Sequence, residues 1–175
     1  MTDIRRSLLK GMSSIVTDLY GEPAKQNTAT YKTADTPATA NAPALPAFTQ
    51  LWKTADETID WTDILISPTP TDGLTPPEKW AFLHRHAAGV LKGAIAAYLA
   101  VLQQENPMVD LMPYVAALNV TCADADTLRA TFSPRSDLQG KEYLCGMALR
   151  IARDLFAALP VLRVEVVAGL LVMLM

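Results

Sequence analysis

The sequence predicts an α+β fold: a small, at least partly antiparallel sheet covered by two long helices, with an N-terminal helix on a tether. Three observations carry that prediction. Leu144, Met147, Ala148, Ile151, Ala152, Leu155, Phe156 and Leu159 recur at the spacing of one buried helix face, ahead of the helix-breaking Pro160. A second apolar face, rich in alanine, runs from Trp80 to Leu102. Between the two, Leu128, Ala130 and Phe132 alternate with Arg129 and Thr131, the period of a half-buried strand.

Taken in order, residues 1–20 read as an amphipathic helix, with Ile4, Leu8, Leu9, Met12, Ile15, Val16 and Leu19 on one side. Arg5 and Arg6 resemble the core of a twin-arginine export signal. The stretch that follows is broken by serines, a threonine and Asp18, so it lacks the apolar run such a signal needs. Residues 21–47 are dominated by Pro, Ala, Thr and Asn and read as a flexible linker. Residues 48–175 then form a single globular domain.

Within that domain, Phe48 to Ile59 suggests a short helix, and Asp63–Ile66 a brief strand stopped by Ser67-Pro68. Thr75, Pro76 and Glu78 stand at the spacing of a helix start, and the helix is expected over 77–104. Gly89, Gly93 and Ala97 repeat every four residues on it, which would let another helix approach closely. Lys92 interrupts its most apolar part, so a buried helix is expected and no membrane span. Residues 114–133 read as a β-hairpin around a polar turn, Cys122–Asp126. Ser136 or Asp137 would cap the helix 137–159, and residues 161–168 would form the next strand. On that helix, Glu142, Arg150, Arg153 and Asp154 are expected away from the buried stripe.

Charge and composition exclude several function classes. Half the residues are hydrophobic and the formal charge is −3, which argues against a dedicated polyanion binder. The charge is uneven. Residues 1–128 hold 9 Lys+Arg against 14 Asp+Glu, whereas residues 129–175 hold 6 against 4. Two cysteines are too few for a disulfide scaffold, and a reducing, cytoplasmic setting is expected. Cys145 reads as a small core residue and Cys122 as an exposed turn residue.

Candidate chemistry is sparse. His84 and His86 flank Arg85, but i and i+2 diverge on a helix. Asp124 and Asp126 bracket Ala125, where turn formation accounts for aspartates as well as metal binding would. No glycine-rich phosphate loop or dinucleotide fingerprint is present, so no cofactor and no metal set are expected. The main expectation is a non-enzymatic interaction or accessory protein that associates with itself, as a homodimer, or with another protein. Its contacts would come from Leu170, Leu171, Val172 and Leu174 in the apolar tail and from Ile4, Leu8, Met12 and Ile15 in the first helix. The alternatives are a small metal-dependent hydrolase or nuclease built on Asp124, Asp126 and the histidines, and a nucleic-acid-binding subunit. The latter would use Arg129, Arg135, Arg150, Arg153 and Arg163.

Overall fold

Among the described residues, a mixed sheet of five strands carries the fold, in the spatial order β1-β2-β3-β4-β5, which is also their order in the chain. The computed structural model describes residues 28–31, 48–138, 140–168 and 171–174. The expected N-terminal helix and most of the expected linker lie outside the described residues. Four residues of that linker, however, form strand β1 (Thr28–Tyr31), paired antiparallel with β2 (Val115–Cys122). A polar turn joins β2 to β3 (Thr127–Pro134) as an antiparallel hairpin. Helix α4 (Lys141–Ala158) then crosses over to β4 (Arg163–Ala168), which runs parallel to β3. β5 (Leu171–Leu174) returns antiparallel to β4.

Period-two alternation separates the two faces of this sheet. One cross-strand ladder runs Ala29–Val120–Ala130–Val166–Met173, and a second runs Tyr31–Leu118–Phe132–Ala168–Leu171. Cys122, Leu128 and Val164 form a third, and every described side chain in the three is buried. Cys122 is therefore a core residue, not the exposed turn residue expected from its neighbours. Helix α3 (Ile95–Glu105) covers this face over β1 and β2, and α4 covers it over β3 and β4. Tyr31 fastens the edge strand to the helical layer, its hydroxyl donating to the Leu102 carbonyl at 3.1 Å.

The expected helix over 77–104 is two helices, α2 (Pro77–Leu91) and α3, folded back at an elbow. Gly93 makes the elbow, with φ of +70°, a region that L side chains disfavour. A Cβ there would stand 2.7 Å from the Ala125 Cβ in the hairpin turn. A Cβ on Gly89 would stand 2.9 Å from that of Ala97. The small residues thus serve close approach within one chain reversal, rather than a stripe for a separate helix. The start of α2 differs as well. Pro76 occupies the cap position, while Thr75 donates back to Asp72.

Asp63–Ile66 belongs to a helix, α1 (Trp61–Ile66), and not to a strand. Asp60 caps it, its Oδ1 accepting from the amides of Thr62 at 3.0 Å and Asp63 at 2.9 Å. Trp61 and Ile64 are the buried pair, at helical spacing. Residues Phe48–Lys53 form a 3-10 turn, followed by chain without regular secondary structure as far as Asp60. A second 3-10 turn, Val109–Tyr114, leads into β2. Helix α4 begins at Lys141 without a side-chain cap: Gly140, which has no side chain, holds the cap position, and Asp137, upstream of it, bonds Arg135 instead. No helix among the described residues is long and apolar enough to cross a membrane.

Candidate functional site

Among the described residues, a buried polar cluster is built on the flank of α4 beside its apolar stripe. Tyr143, Met147, Arg150, Asp154 and Ala158 follow one another at three- and four-residue steps and are all buried. Arg150 and Asp154, expected at the surface, are 5% and 0% exposed. They are covered because the irregular chain after the first 3-10 turn lies across them as a strap. Arg150 Nε donates to both Asp154 oxygens, at 2.9 and 2.8 Å. Its Nη1 donates to Thr54 Oγ1 at 2.8 Å and its Nη2 to Asp110 Oδ2 at 2.7 Å. One guanidinium therefore ties together α4, the strap and the second 3-10 turn.

Asp154 completes the link from its other side, accepting the Asp56 amide at 3.1 Å. Arg153 donates to the Trp52 carbonyl nearby. Further along, the Ile59 amide donates to the Ala157 carbonyl at 2.8 Å, and the Trp61 indole to that of Ala158 at 2.9 Å. Burial pushes the Asp154 carboxyl up to about 6, against the opposing pull of the Asp56 amide and Arg150. Asp56 is also raised, by burial and then by the Asp110 charge, with Arg150 and Lys79 pulling the other way. Lys79 itself is paired with Glu105 at 2.5 Å. Because Asp154 has no exposed surface, it has no path to a substrate. The arrangement is suited to holding chain segments together.

The residues expected to carry chemistry lie elsewhere. Asp124 and Asp126 are exposed in the β2–β3 turn. Asp124 Oδ1 accepts the Asp126 amide at 2.8 Å, and that bond leads the effects holding its carboxyl below the usual range. The Asp126 carbonyl accepts the amides of Leu162 and Arg163, each at 3.0 Å, which ties the turn to the start of β4. Tyr98 and Gly93 seat the same turn against the elbow, the Tyr98 hydroxyl donating to the Ala125 carbonyl at 3.0 Å. His84 and His86 are half-buried on α2, and the His86 ring lies 4.7 Å from that of Phe82. Among the described residues, no group of three His, Cys, Asp or Glu is placed to hold a metal.

The five arginines of the nucleic-acid alternative all have protein partners. Arg129 and Arg163 both pair with Glu165, at 2.7 and 3.7 Å. Arg135 binds Asp137 and the Pro113 carbonyl. Arg150 and Arg153 belong to the strap cluster. Sequence reasoning missed that cluster, although one signal was available. Arg150 and Asp154 sit four apart on the same ridge as Tyr143 and Met147, the spacing of an ion pair beside a core stripe.

The sheet's outer face carries Val172 and Leu174, whereas Leu171 falls on the ladder of Tyr31, Leu118, Phe132 and Ala168. One ladder runs Thr28–Thr121–Arg129–Glu165–Leu174, the other Thr30–Asn119–Thr131–Val167–Val172. Residue types along both ladders are polar from β1 to β3, and they turn apolar at β5, or at β4 in the second. Leu171, Val172 and Leu174 stand on β5, which pairs only with β4 among the described residues. Leu170, Ile4, Leu8, Met12 and Ile15 lie outside the described residues. Comparison with protein-family models, with curated proteins and with solved structures gives no match in any of the three.

Proposed function

We propose that this chain is a non-enzymatic interaction protein that associates with a second copy of itself along the apolar end of its sheet. The observation that carries the proposal is the change of character along the outer-face ladders, from threonine and asparagine to Val167, Val172 and Leu174. A strand of sequence Leu-Val-Met-Leu at the sheet edge is a template for pairing, since its outer backbone groups lie in ladder geometry. Two-fold antiparallel pairing would join like edges, the commonest symmetry of homo-oligomers. Burying one Val, Leu or Met side chain is worth about 1.5–3 kcal/mol, so covering this edge is a substantial driving force. The reading extends to a cytoplasmic setting, supported by the two unpaired thiols, one of them sealed in the core.

Sedimentation equilibrium tests it. The intact chain is expected to sediment as a dimer, and deletion of residues 170–175 or the pair Val172→Lys and Leu174→Lys is expected to give a monomer. The helical circular-dichroism signal should survive both changes. An intact chain that stays monomeric at high concentration, with a truncation that unfolds, would assign the tail to the protein's own core instead.

A further inference from the structure

We propose that the segment Trp52–Ile59 is a pH-sensitive strap, closed most firmly over α4 in acid and loosened as the pH rises towards neutrality. It is held chiefly by polar bonds, with Ile59 at its far end the residue that packs against the core. Among the described side chains from residue 50 to residue 58, none is buried. Four hydrogen bonds to α4 fasten it: Arg153 to the Trp52 carbonyl, Arg150 to Thr54, the Asp56 amide to Asp154, and the Ile59 amide to the Ala157 carbonyl. Segments with few buried apolar contacts open at lower cost than the fold as a whole.

The charges around this clasp are unbalanced. Asp154 faces Arg150 on its own helix and Asp56 on the strap, while Asp110 on the second 3-10 turn bonds the same Arg150 and acts on Asp56. Asp56 also feels Lys79 from α2, but Lys79 is shared with Glu105 of α3. Arg153 stands at the rim, bonded to the Trp52 carbonyl. Three carboxylates therefore converge on one buried guanidinium. Closing the strap brings Asp56 towards Asp110 and removes Asp154 from water, and both changes disfavour the ionised carboxylates. The closed state consequently binds protons more tightly than the open one, in which these groups return to water. Closure is favoured below the folded-state titration of Asp154, near pH 6, and fades as the pH rises through it.

Amide hydrogen exchange on the intact protein, from pH 5 to pH 8 and corrected for the intrinsic chemical rate, tests the proposal. Protection over residues 52–60 is expected to fall by up to about tenfold across this range, nearly all of it below about pH 7, while protection in β2, β3 and β4 stays constant. Asp154→Asn should remove most of the pH dependence, and Asp56→Asn, at the exposed rim, should weaken it. Strap protection that is flat or rises with pH in the wild-type protein would overturn the proposal, as would an unchanged slope in the variants. If Asp154→Asn fails to fold, the wild-type and Asp56→Asn profiles decide the question by the same criteria.

Discussion

Helix α4 meets the sheet on one side and the strap on another, and the two contacts are of different kinds. Towards the sheet, fully buried Met147, Ile151 and Leu155 belong to the same core as Leu128, Phe132 and Val164. Towards the strap, a buried ion pair holds a stretch of chain, Trp52–Ile59, in which no side chain is fully buried. Apolar packing is non-directional and adds up over area, so it tolerates changes that keep volume and pattern. The polar clasp depends on a few directed bonds, and a buried ion pair returns little net stability after desolvation. The contrast implies that the sheet contact sets whether the protein folds, whereas the clasp sets where one segment lies.

The largest expected effect tests the apolar side. Ile151→Asp should unfold the protein or make it insoluble, since burying an unpaired carboxylate costs several kcal/mol against a total stability of about 5–15 kcal/mol. A soluble variant with a cooperative melt would mean that the core does not depend on this face. Next comes the clasp. Arg150→Ala should cost about 3–5 kcal/mol in chemical denaturation, because it leaves Asp154 buried without its partner. The double change Arg150→Met with Asp154→Leu should recover most of that loss, while the strap loses its bond to Thr54. Equal losses in the single and double variants would show that the pair contributes more than a charge needing compensation.

The comparison also explains what was legible in the sequence. The stripe from Leu144 to Leu159 and the alternation from Leu128 to Phe132 give their elements directly, because periodicity reports burial of one face. The elbow at Gly93 was not legible. Apolar residues continue at helical spacing on both sides of it, and the contact that demands a glycine comes from Ala125 in a distant turn. Asp63–Ile66 is too short a run for periodicity to separate strand from helix, and the capping carboxylate of Asp60 decides it. Arg150 and Asp154 looked like surface residues because charged side chains seldom lie inside. The strap that covers them falls within Phe48 to Ile59, whose apolar spacing suggests a short helix, so the sequence does not announce a strap.

Titration should separate the two contacts further. The Asp154 carboxyl is held at about 6 in the folded state, above its ordinary value of 3.8. A raised carboxyl favours the folded state at low pH, so this group's contribution is fully present below about pH 4 and is lost as the pH rises through 6. The loss is bounded by about 3 kcal/mol, and Asp154→Asn should abolish it in denaturation curves taken from pH 4 to 7. A stability profile that rises over this window and is unchanged in the variant would show the ion pair outweighing burial.

A smaller effect is expected at the elbow, where the apolar helices meet the hairpin turn. Gly93→Ala must adopt a positive φ and displace Ala125, at a cost of about 1–3 kcal/mol in thermal or chemical denaturation. The strap should keep its protection in this variant, since no strap bond passes through the elbow. Loss of strap protection there would mean that the two regions open together.

The smallest expected effect on global stability is the most discriminating for the strap. Arg153 is exposed and makes one bond across the boundary, from its guanidinium to the Trp52 carbonyl. Removing an exposed bond of this kind with Arg153→Ala should change the free energy of unfolding by about 1 kcal/mol or less, because water replaces the lost partner. The same bond holds one end of a segment whose other anchors are Thr54, Asp56 and Ile59. Amide exchange should therefore accelerate locally around Trp52 and Thr54 while the amides of β2 and β3 keep their wild-type rates. If the β2 and β3 amides accelerate by the same factor, the strap opens only when the whole domain does, and the distinction between the two flanks of α4 fails.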